Sequence, residues 1–426
     1  MEKCDRCYQQ YVQILREELL PAMGCTEPIA VAYAAAKARE TLGVMPERVL
    51  VEASGNIIKN VKSVVVPNTG GLKGLPAAAA AGVAAGDAGA ELQVLASITP
   101  EQIKTIGEFL EKTPIEVRHA DTPHIFDIAV SVFRGEQSAY VRITDFHTNI
   151  VCIRRNSETL LEKKDGGGGG EASLTDRSCM TVEKIVDFAD SVDLGDVREL
   201  LQRQIAYNMA IAEEGLTNNY GANIGKTLLR GHENDINYKL RAWAAAGSDA
   251  RMNGCEMPVV INSGSGNQGI TTSVPVIVYA RETGASEEEL LRALCVSNLV
   301  TIHLKTGIGR LSAYCGAVSA GAGAASGIAY LQGGRFEVIA HTIVNTVAVT
   351  SGIVCDGAKA SCAAKIAAAV DAGLLGLAMY RGGNQFFGGD GIVKKGVERT
   401  IEIVGKLASR GMVETDKEII RLMMEN

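Results

Sequence analysis

"LSAYCGAVSAGAGAASGIAYLQGG", residues 311–334, carries no charged side chain and consists chiefly of Gly, Ala and Ser. Length alone would let it span a bilayer, and the apolar stretch "EVIAHTIVNTVAVTSGIVC" (337–355) follows soon after. Its composition argues otherwise. Gly, Ala and Ser gain little from lipid, and neither an aromatic belt nor a basic cluster flanks the run. The stretch therefore predicts a helix buried in a water-soluble helical core. Small side chains let helix backbones approach closely. The whole chain has the same bias, with 47 glycines and only 5% aromatic residues.

Outward from this helix, the 426 residues exceed one ordinary core, so two domains are expected. With 21% charged and 46% apolar residues the chain is globular. A net charge of −7 excludes nucleic acid as the main partner, since a phosphate-binding surface needs a basic excess. "MEKCDRCYQQYVQILREELL" has no apolar core of signal-peptide type, which predicts a cytoplasmic protein with no membrane partner. In that compartment ten cysteines read as thiols, metal ligands or catalytic groups. A homo-oligomer is left open.

Residues 9–20 and 28–42 read as two helices around a turn at Cys25. From about residue 46 short strands enter: "RVLVEA", "KSVVVPN", "IEVRHA", "HIFDIAVSVFRGEQSAYVRITDF" with a turn near Gly135, and "TNIVCIRRN". Between them "TPEQIKTIGEFLEKT" starts a helix with Thr99 as N-cap, Pro100 first and Gln102 completing a capping box. "KKDGGGGGEAS" is a flexible connector or a loop tip. After Thr181 the pattern is helical to the end, with a second capping box at Ser286 and Glu289. The expected fold class is α+β. A mainly helical catalytic domain (1–45 plus 176–426) carries a smaller inserted α+β domain (46–175).

Four groups of residues bear on chemistry. Cys25, in "MGCTEPIAVAYAAAKARE", precedes Pro28, which suits the first position of a helix. The partial positive charge of a helix N-terminus favours a thiolate there, while a small buried hydrophobe is the commoner role of a free cysteine. Cys355 and Cys362 in "IVCDGAKASC" would lie about 10 Å apart along one straight helix. Asp356-Gly357 is a turn signal, so Cys355 belongs on a loop and Cys362 in the following helix, where the sulfurs can converge. With Cys315 in "RLSAYCGAVSAG" they are candidate ligands of an iron–sulfur cluster, although the spacing matches no ferredoxin run. On spacing alone, three buried thiols is the plainer reading. Cys4 and Cys7, the sole C-x-x-C, form a surface pair rather than a zinc site.

"NSGSGNQGITTSVP" contains a literal G-x-G-x-x-G from Gly264 to Gly269. β-Branched residues and Pro275 follow it, which argues against the helix that a dinucleotide site requires. The loop Ser263, Gly264, Ser265, Gly266 and Asn267 instead offers N–H groups and polar side chains to a carboxylate. Arg251, His303, Lys305 and Arg310 lie nearby in sequence as candidate partners of an anionic substrate.

Taken in order, "GCTEP", "SDARMNG", "NSGSGNQG", "GRLSAYCGA" and "IVCDGAKASC" resemble the L-cysteine desulfidases, relatives of the α-chain of iron–sulfur L-serine dehydratases. The resemblance covers nearly the whole chain. It implies a [4Fe–4S] cluster held by Cys315, Cys355 and Cys362, with Cys25 as the proton acceptor. It also implies L-cysteine as the small-molecule substrate, broken down to pyruvate, ammonia and hydrogen sulfide. The loop 263–267 and Arg310 are then expected on the substrate side. A serine-rich S-S-x-H-T-like stretch is absent, and "RLMMEN" holds no terminal cysteine, which weakens the expectation of a serine enzyme more than that of a cysteine enzyme. The rival readings are L-serine dehydration at the same cluster, pyridoxal-phosphate chemistry on Lys226, Lys305 or Lys359, and a non-catalytic amino-acid sensor.

Overall fold

A computed structural model describes residues 1–163, 174–309 and 312–425. The glycine run 166–170 and Arg310 lie outside the described residues. The chain opens with helix α1 (Arg6–Glu18), strand β1 (Pro21–Met23) and helix α2 (Thr26–Leu42). Strand β2 (Arg48–Ala53) and helices α3 (Gly55–Val61), α4 (Gly74–Ala85) and α5 (Pro100–Lys112) follow. Five strands come next: β3 (Ile115–His119), β4 (Asp127–Arg134), β5 (Gln137–Thr144), β6 (Ile150–Arg155) and β7 (Glu158–Glu162). Helices α6 (Val182–Ser191), α7 (Arg198–Thr217), α8 (Ile224–Leu229) and α9 (Ile236–Met252) then lead to strand β8 (Pro258–Val260). The rest is helical: α10 (Gly266–Thr283), α11 (Glu287–Ile308), α12 (Gly316–Leu331), α13 (Phe336–Thr350), α14 (Cys362–Arg381), α15 (Val397–Lys406) and α16 (Val413–Met424). The fold is α+β and mainly helical.

The sheet runs β3-β2-β4-β5-β6-β7, with β2 and β3 parallel and the other pairs antiparallel. Val117, Val51, Val130, Val141 and Ile153 stand in one row across it. In β2 the alternation of "RVLVEA" buries Val49, Val51 and Ala53 completely. Helix α2 covers this sheet and shares its core, together with α4. The expected division placed residues 1–45 with the helical body, and within that segment α2 packs in the sheet core. Ala30, Val31, Ala34, Ala35 and Ala38 of α2 are wholly buried, and their small faces fit a sheet and a helix at once. Helix α1 belongs to the other core, through Tyr8, Tyr11 and Leu15.

The stretch that opened the sequence reading is the centre of the second core. Helix α12 packs against α10, α11, α13 and α14, and Ala317–Tyr330 is buried without interruption. A Cβ at Gly321 would come 2.5 Å from the Ala369 carbonyl oxygen of α14, so only glycine admits that approach. Among the described residues one helix, α14, is long and apolar enough to cross a membrane. It packs between α12, α13 and α9.

Three local expectations change. "KSVVVPN" is not a strand; Val64 and Val66 are buried in a tight bend closed by an isolated bridge between Val65 and Lys73. The helix after Cys25 starts at Thr26, so Pro28 is its third residue, still in the first turn where a missing N–H costs nothing. The glycine loop is followed directly by a helix: Ser265 caps α10, which runs through Pro275. Burial on all sides overrode the β-branched pattern there. The dinucleotide reading still fails. Among the described residues the strand before the loop, β8, pairs with β1 alone, antiparallel, in a two-stranded sheet, so it has no parallel neighbour reached across α10.

Candidate functional site

The two cores meet around one chamber. Cys25, Thr26 and Glu27 open α2, and Lys59 and Asn60 come from α3. Arg251 ends α9, Ser265, Asn267 and Gln268 open α10, and Lys305 ends α11. Cys315 caps α12, Cys355 lies on the loop before α14, and Cys362 is the first residue of α14. Helices α2, α10, α12 and α14 thus all present their N-termini to the chamber. Their partial positive charges add to those of Arg251, Lys59 and Lys305, so the site favours anions.

The three cysteines of the second core are brought together by backbone. Tyr314 and Val354 form an isolated antiparallel bridge. The Cys315 N–H donates to the Ile353 carbonyl at 3.0 Å, and the Cys355 N–H to that of Ala313 at 2.6 Å. Gly357 turns the chain back with φ +94, and a Cβ there would meet the Lys59 carbonyl oxygen at 2.0 Å. The thiol of Cys362 donates to the Gly357 carbonyl at 3.6 Å. Burial, then the neighbouring Cys355 and Cys362, pushes the Cys315 thiol up to about 12. Burial likewise raises Cys362. Burial and the neighbouring sulfurs disfavour the thiolates of Cys315 and Cys362, which a bound metal would stabilise while releasing their protons. Among the described residues no three His, Cys, Asp or Glu side chains close around a single ion. Thiolates are the ligands that iron–sulfur clusters take, and Cys315, Cys355 and Cys362 all line the chamber.

Cys25 differs from expectation. Its thiol is pushed well above the ordinary range, first by burial and then by the Glu27 charge, against the pull of Arg251. At rest it is a thiol, donating to Glu27 Oε2 at 3.1 Å. Glu27 also accepts from Thr26 Oγ1 at 3.2 Å and from Asn60 Nδ2 at 3.2 Å. Burial alone would raise the Glu27 carboxyl. His147, the Cys25 thiol, its own N–H and Arg251 outweigh that and hold it below the usual carboxylate range. The expected effect of the helix N-terminus on the thiol is overridden by desolvation and by the acid two residues on.

Comparison with known proteins fits this arrangement. The family described as serine dehydratase alpha chain matches residues 89–421, most of the chain. The chain belongs to the serine dehydratase alpha-chain family. It is 59% identical to a UPF0597 protein of Desulfitobacterium hafniense, over 100% of this chain and 98% of that protein. A UPF0597 protein of Treponema denticola is 49% identical, over 98% of both chains. One from Lachnoclostridium phytofermentans is 50% identical, over 98% of this chain and all of that protein. Cys25, Glu27, Lys59 and Asn60 precede the serine dehydratase match, whereas these relatives align along almost the full length.

Around this family member's chamber, Cys25, Cys315, Cys355, Cys362, Gly264, Ser265 and Asn267 come together. Gly266 lies beneath Arg251. Ser263, held at φ +51, donates to Asn262 Oδ1 and lines a neighbouring cavity with Glu18, Arg177 and Lys305. His303 contacts Glu398 at 2.7 Å and does not line the chamber. Of the three lysines considered for pyridoxal phosphate only Lys305 lines it; Lys226 donates to Thr217 O and Asn219, and Lys359 pairs with Asp356. Cys4 is exposed and Cys7 half-buried beside Lys184. Sequence reasoning missed Glu27, Lys59, Asn60 and Gln268. Glu27 and Gln268 left a signal, each inside a quoted motif, "GCTEP" and "NSGSGNQG".

Proposed function

We propose that the protein is an iron–sulfur lyase acting on L-cysteine, a desulfidase that yields pyruvate, ammonia and hydrogen sulfide. The supporting observation is the convergence of Cys315, Cys355 and Cys362 on one chamber that also holds the Cys25–Glu27 pair. Those three thiols would hold the [4Fe–4S] cluster that the family resemblance implies. When bound, a cluster with three protein ligands supplies an open iron, a soft Lewis acid suited to a departing sulfur. The chain's own residues do the rest. The first turn of α10 and the guanidinium of Arg251 attract the substrate carboxylate. Glu27 orients Cys25 through their hydrogen bond, and Cys25 serves as base in its thiolate form. That thiolate takes the α-proton. The electrons of the Cα–H bond form the Cα–Cβ double bond, and the Cβ–S bond breaks with its pair going to sulfide. The enamine left behind hydrolyses to pyruvate and ammonia. Free thiols of this kind suit the cytoplasm, whose glutathione keeps them reduced.

L-Serine dehydration in the same chamber is the second reading, favoured by the family match itself. Anaerobically purified protein should contain about four irons and as many labile sulfides per chain, and should release sulfide from L-cysteine with a higher kcat/KM than pyruvate from L-serine. The reverse preference selects the dehydratase. Active, iron-free protein with a pyridoxal chromophore overturns both.

A further inference from the structure

Two side chains in the chamber keep polar atoms without partners. Arg251 is 5% exposed; its Nη1 donates to Asn267 Oδ1 at 3.2 Å, but its buried Nε has no acceptor. Among the described residues it forms no ion pair. Gln268 is also 5% exposed, and its Oε1 is buried without a donor. Glycines make room for both. A Cβ at Gly266 would lie 2.3 Å from Arg251 Nε, and one at Gly316 would lie 2.6 Å from Gln268 Cδ. The guanidinium is therefore pressed to the first turn of α10, and the amide to that of α12, next to Cys315.

A buried polar group left unmatched costs about 1–3 kcal/mol, and an unpaired buried charge costs more. Here the two unmatched groups have opposite polarity and share one chamber. A ligand with an anionic and a cationic end satisfies both at once. We infer that Arg251 and Gln268 read the two ends of an α-amino acid zwitterion, the guanidinium taking the carboxylate and the Gln268 carbonyl the α-ammonium. Asn267 fixes the orientation of the guanidinium. This rests on the lyase reading above, and it names the residues that select an amino acid over a hydroxy acid or an amine of the same shape.

The test uses inert ligands on anaerobic, cluster-loaded full-length protein, by titration calorimetry. L-Alanine carries both ends, L-lactate only the carboxylate, ethylamine only the ammonium. Wild-type protein should bind L-alanine most tightly. Gln268→Leu should weaken L-alanine about tenfold or more and leave L-lactate unchanged, since a charge-assisted hydrogen bond is lost. Arg251→Gln should weaken both acids and spare ethylamine, and Arg251→Lys should restore part of the loss. Gln268→Met, closer in length, repeats the first comparison if the leucine variant folds poorly. Equal weakening of L-alanine and L-lactate in both Gln268 variants overturns the ammonium assignment. Unchanged L-lactate binding in Arg251→Gln overturns the carboxylate assignment. Wild-type protein that prefers L-lactate overturns both. No turnover is involved, so L-alanine binding with neither sulfide release from L-cysteine nor pyruvate release from L-serine would sink the lyase reading and leave this one standing.

Discussion

At the scale of single residues, the proposed chemistry turns on a thiol that the fold keeps protonated. Burial dominates the shift at Cys25, and Glu27 adds to it. The pair therefore works as a unit, with the carboxylate holding the protonated thiol in place at rest. Cys25→Ser should retain iron and visible absorption but lose kcat, and α-deuterated L-cysteine should no longer exchange its label with solvent. Loss of the iron would make Cys25 a ligand instead. Glu27→Gln removes a charge that raises the Cys25 thiol, so the pH–rate profile should move to lower pH. A pH–rate profile matching wild type would remove Glu27 from the control of that thiol. Asp249 gives a separate prediction. Burial raises its carboxyl to about 6, against the N–H groups of Gly225 and Ile224, and its Oδ1 has no partner. Its folded pKa exceeds the unfolded one, near 4, so the native state binds more protons in that window and stability falls as pH rises from 4 to 6. Asp249→Asn should keep the Gly225 hydrogen bond and raise stability at pH 7.5 by on the order of 1–2 kcal/mol. Melting temperatures at pH 4.5 and 7.5 check it: the gap between variant and wild type should shrink at the lower pH.

At the scale of elements, helix starts carry the site and glycines set how closely its parts approach. Gly357→Ala must overcome both a left-handed φ and a 2.0 Å contact with the Lys59 carbonyl. The loop bearing Cys355 should shift, and iron content should fall without loss of the helical circular dichroism; full iron occupancy would show the loop to be tolerant. Gly82→Ala tests packing rather than the site. In an exposed helix that change stabilises by about 1 kcal/mol. Here the new Cβ would lie 2.1 Å from the Ala32 carbonyl oxygen of α2, so overpacking should reverse the sign and cost about 1–3 kcal/mol in urea unfolding. These elements were unevenly legible in the sequence. The capping boxes at Thr99 and Ser286 were readable because their signal is local, and both are present. The loop-then-helix placement of Cys355 and Cys362 was readable from Asp356-Gly357. Helix α10 was not, because its β-branched residues and Pro275 are set by burial on every side. Arg251 and Gln268 become a pair only through Gly266 and Gly316, which are glycines for the sake of neighbours distant in sequence.

At the scale of the whole molecule, the chamber belongs to neither core alone. Cys25 and Ala358 pack with the sheet core, while Cys315 packs with the helical core. The C-terminal helix α16 ties the two sides. Its Asp416 accepts from Lys59 Nζ at 2.5 Å and from Asn56 at 3.0 Å, and Ile420 rests on Gly55. The Lys59 side chain is only 1% exposed and lines the chamber. An ammonium so deep is tolerable while its carboxylate is in place, and removing one partner of a buried pair costs about 3–5 kcal/mol. Asp416 keeps 15% of its side chain in contact with solvent, so the lower end of that range applies. Asp416→Leu should therefore destabilise by about 3 kcal/mol. Lys59→Met should cost less, since the more exposed carboxylate can turn to water. The double variant should recover most of the stability, because two apolar side chains replace the pair. It should not recover substrate affinity: Lys59 supplies one of the chamber's positive charges, and KM for L-cysteine should stay raised in both variants lacking it. A double variant as active as wild type would make the pair a packing device with no part in the chamber's field. One with stability no better than Asp416→Leu would show that α16 holds the two cores together through other contacts.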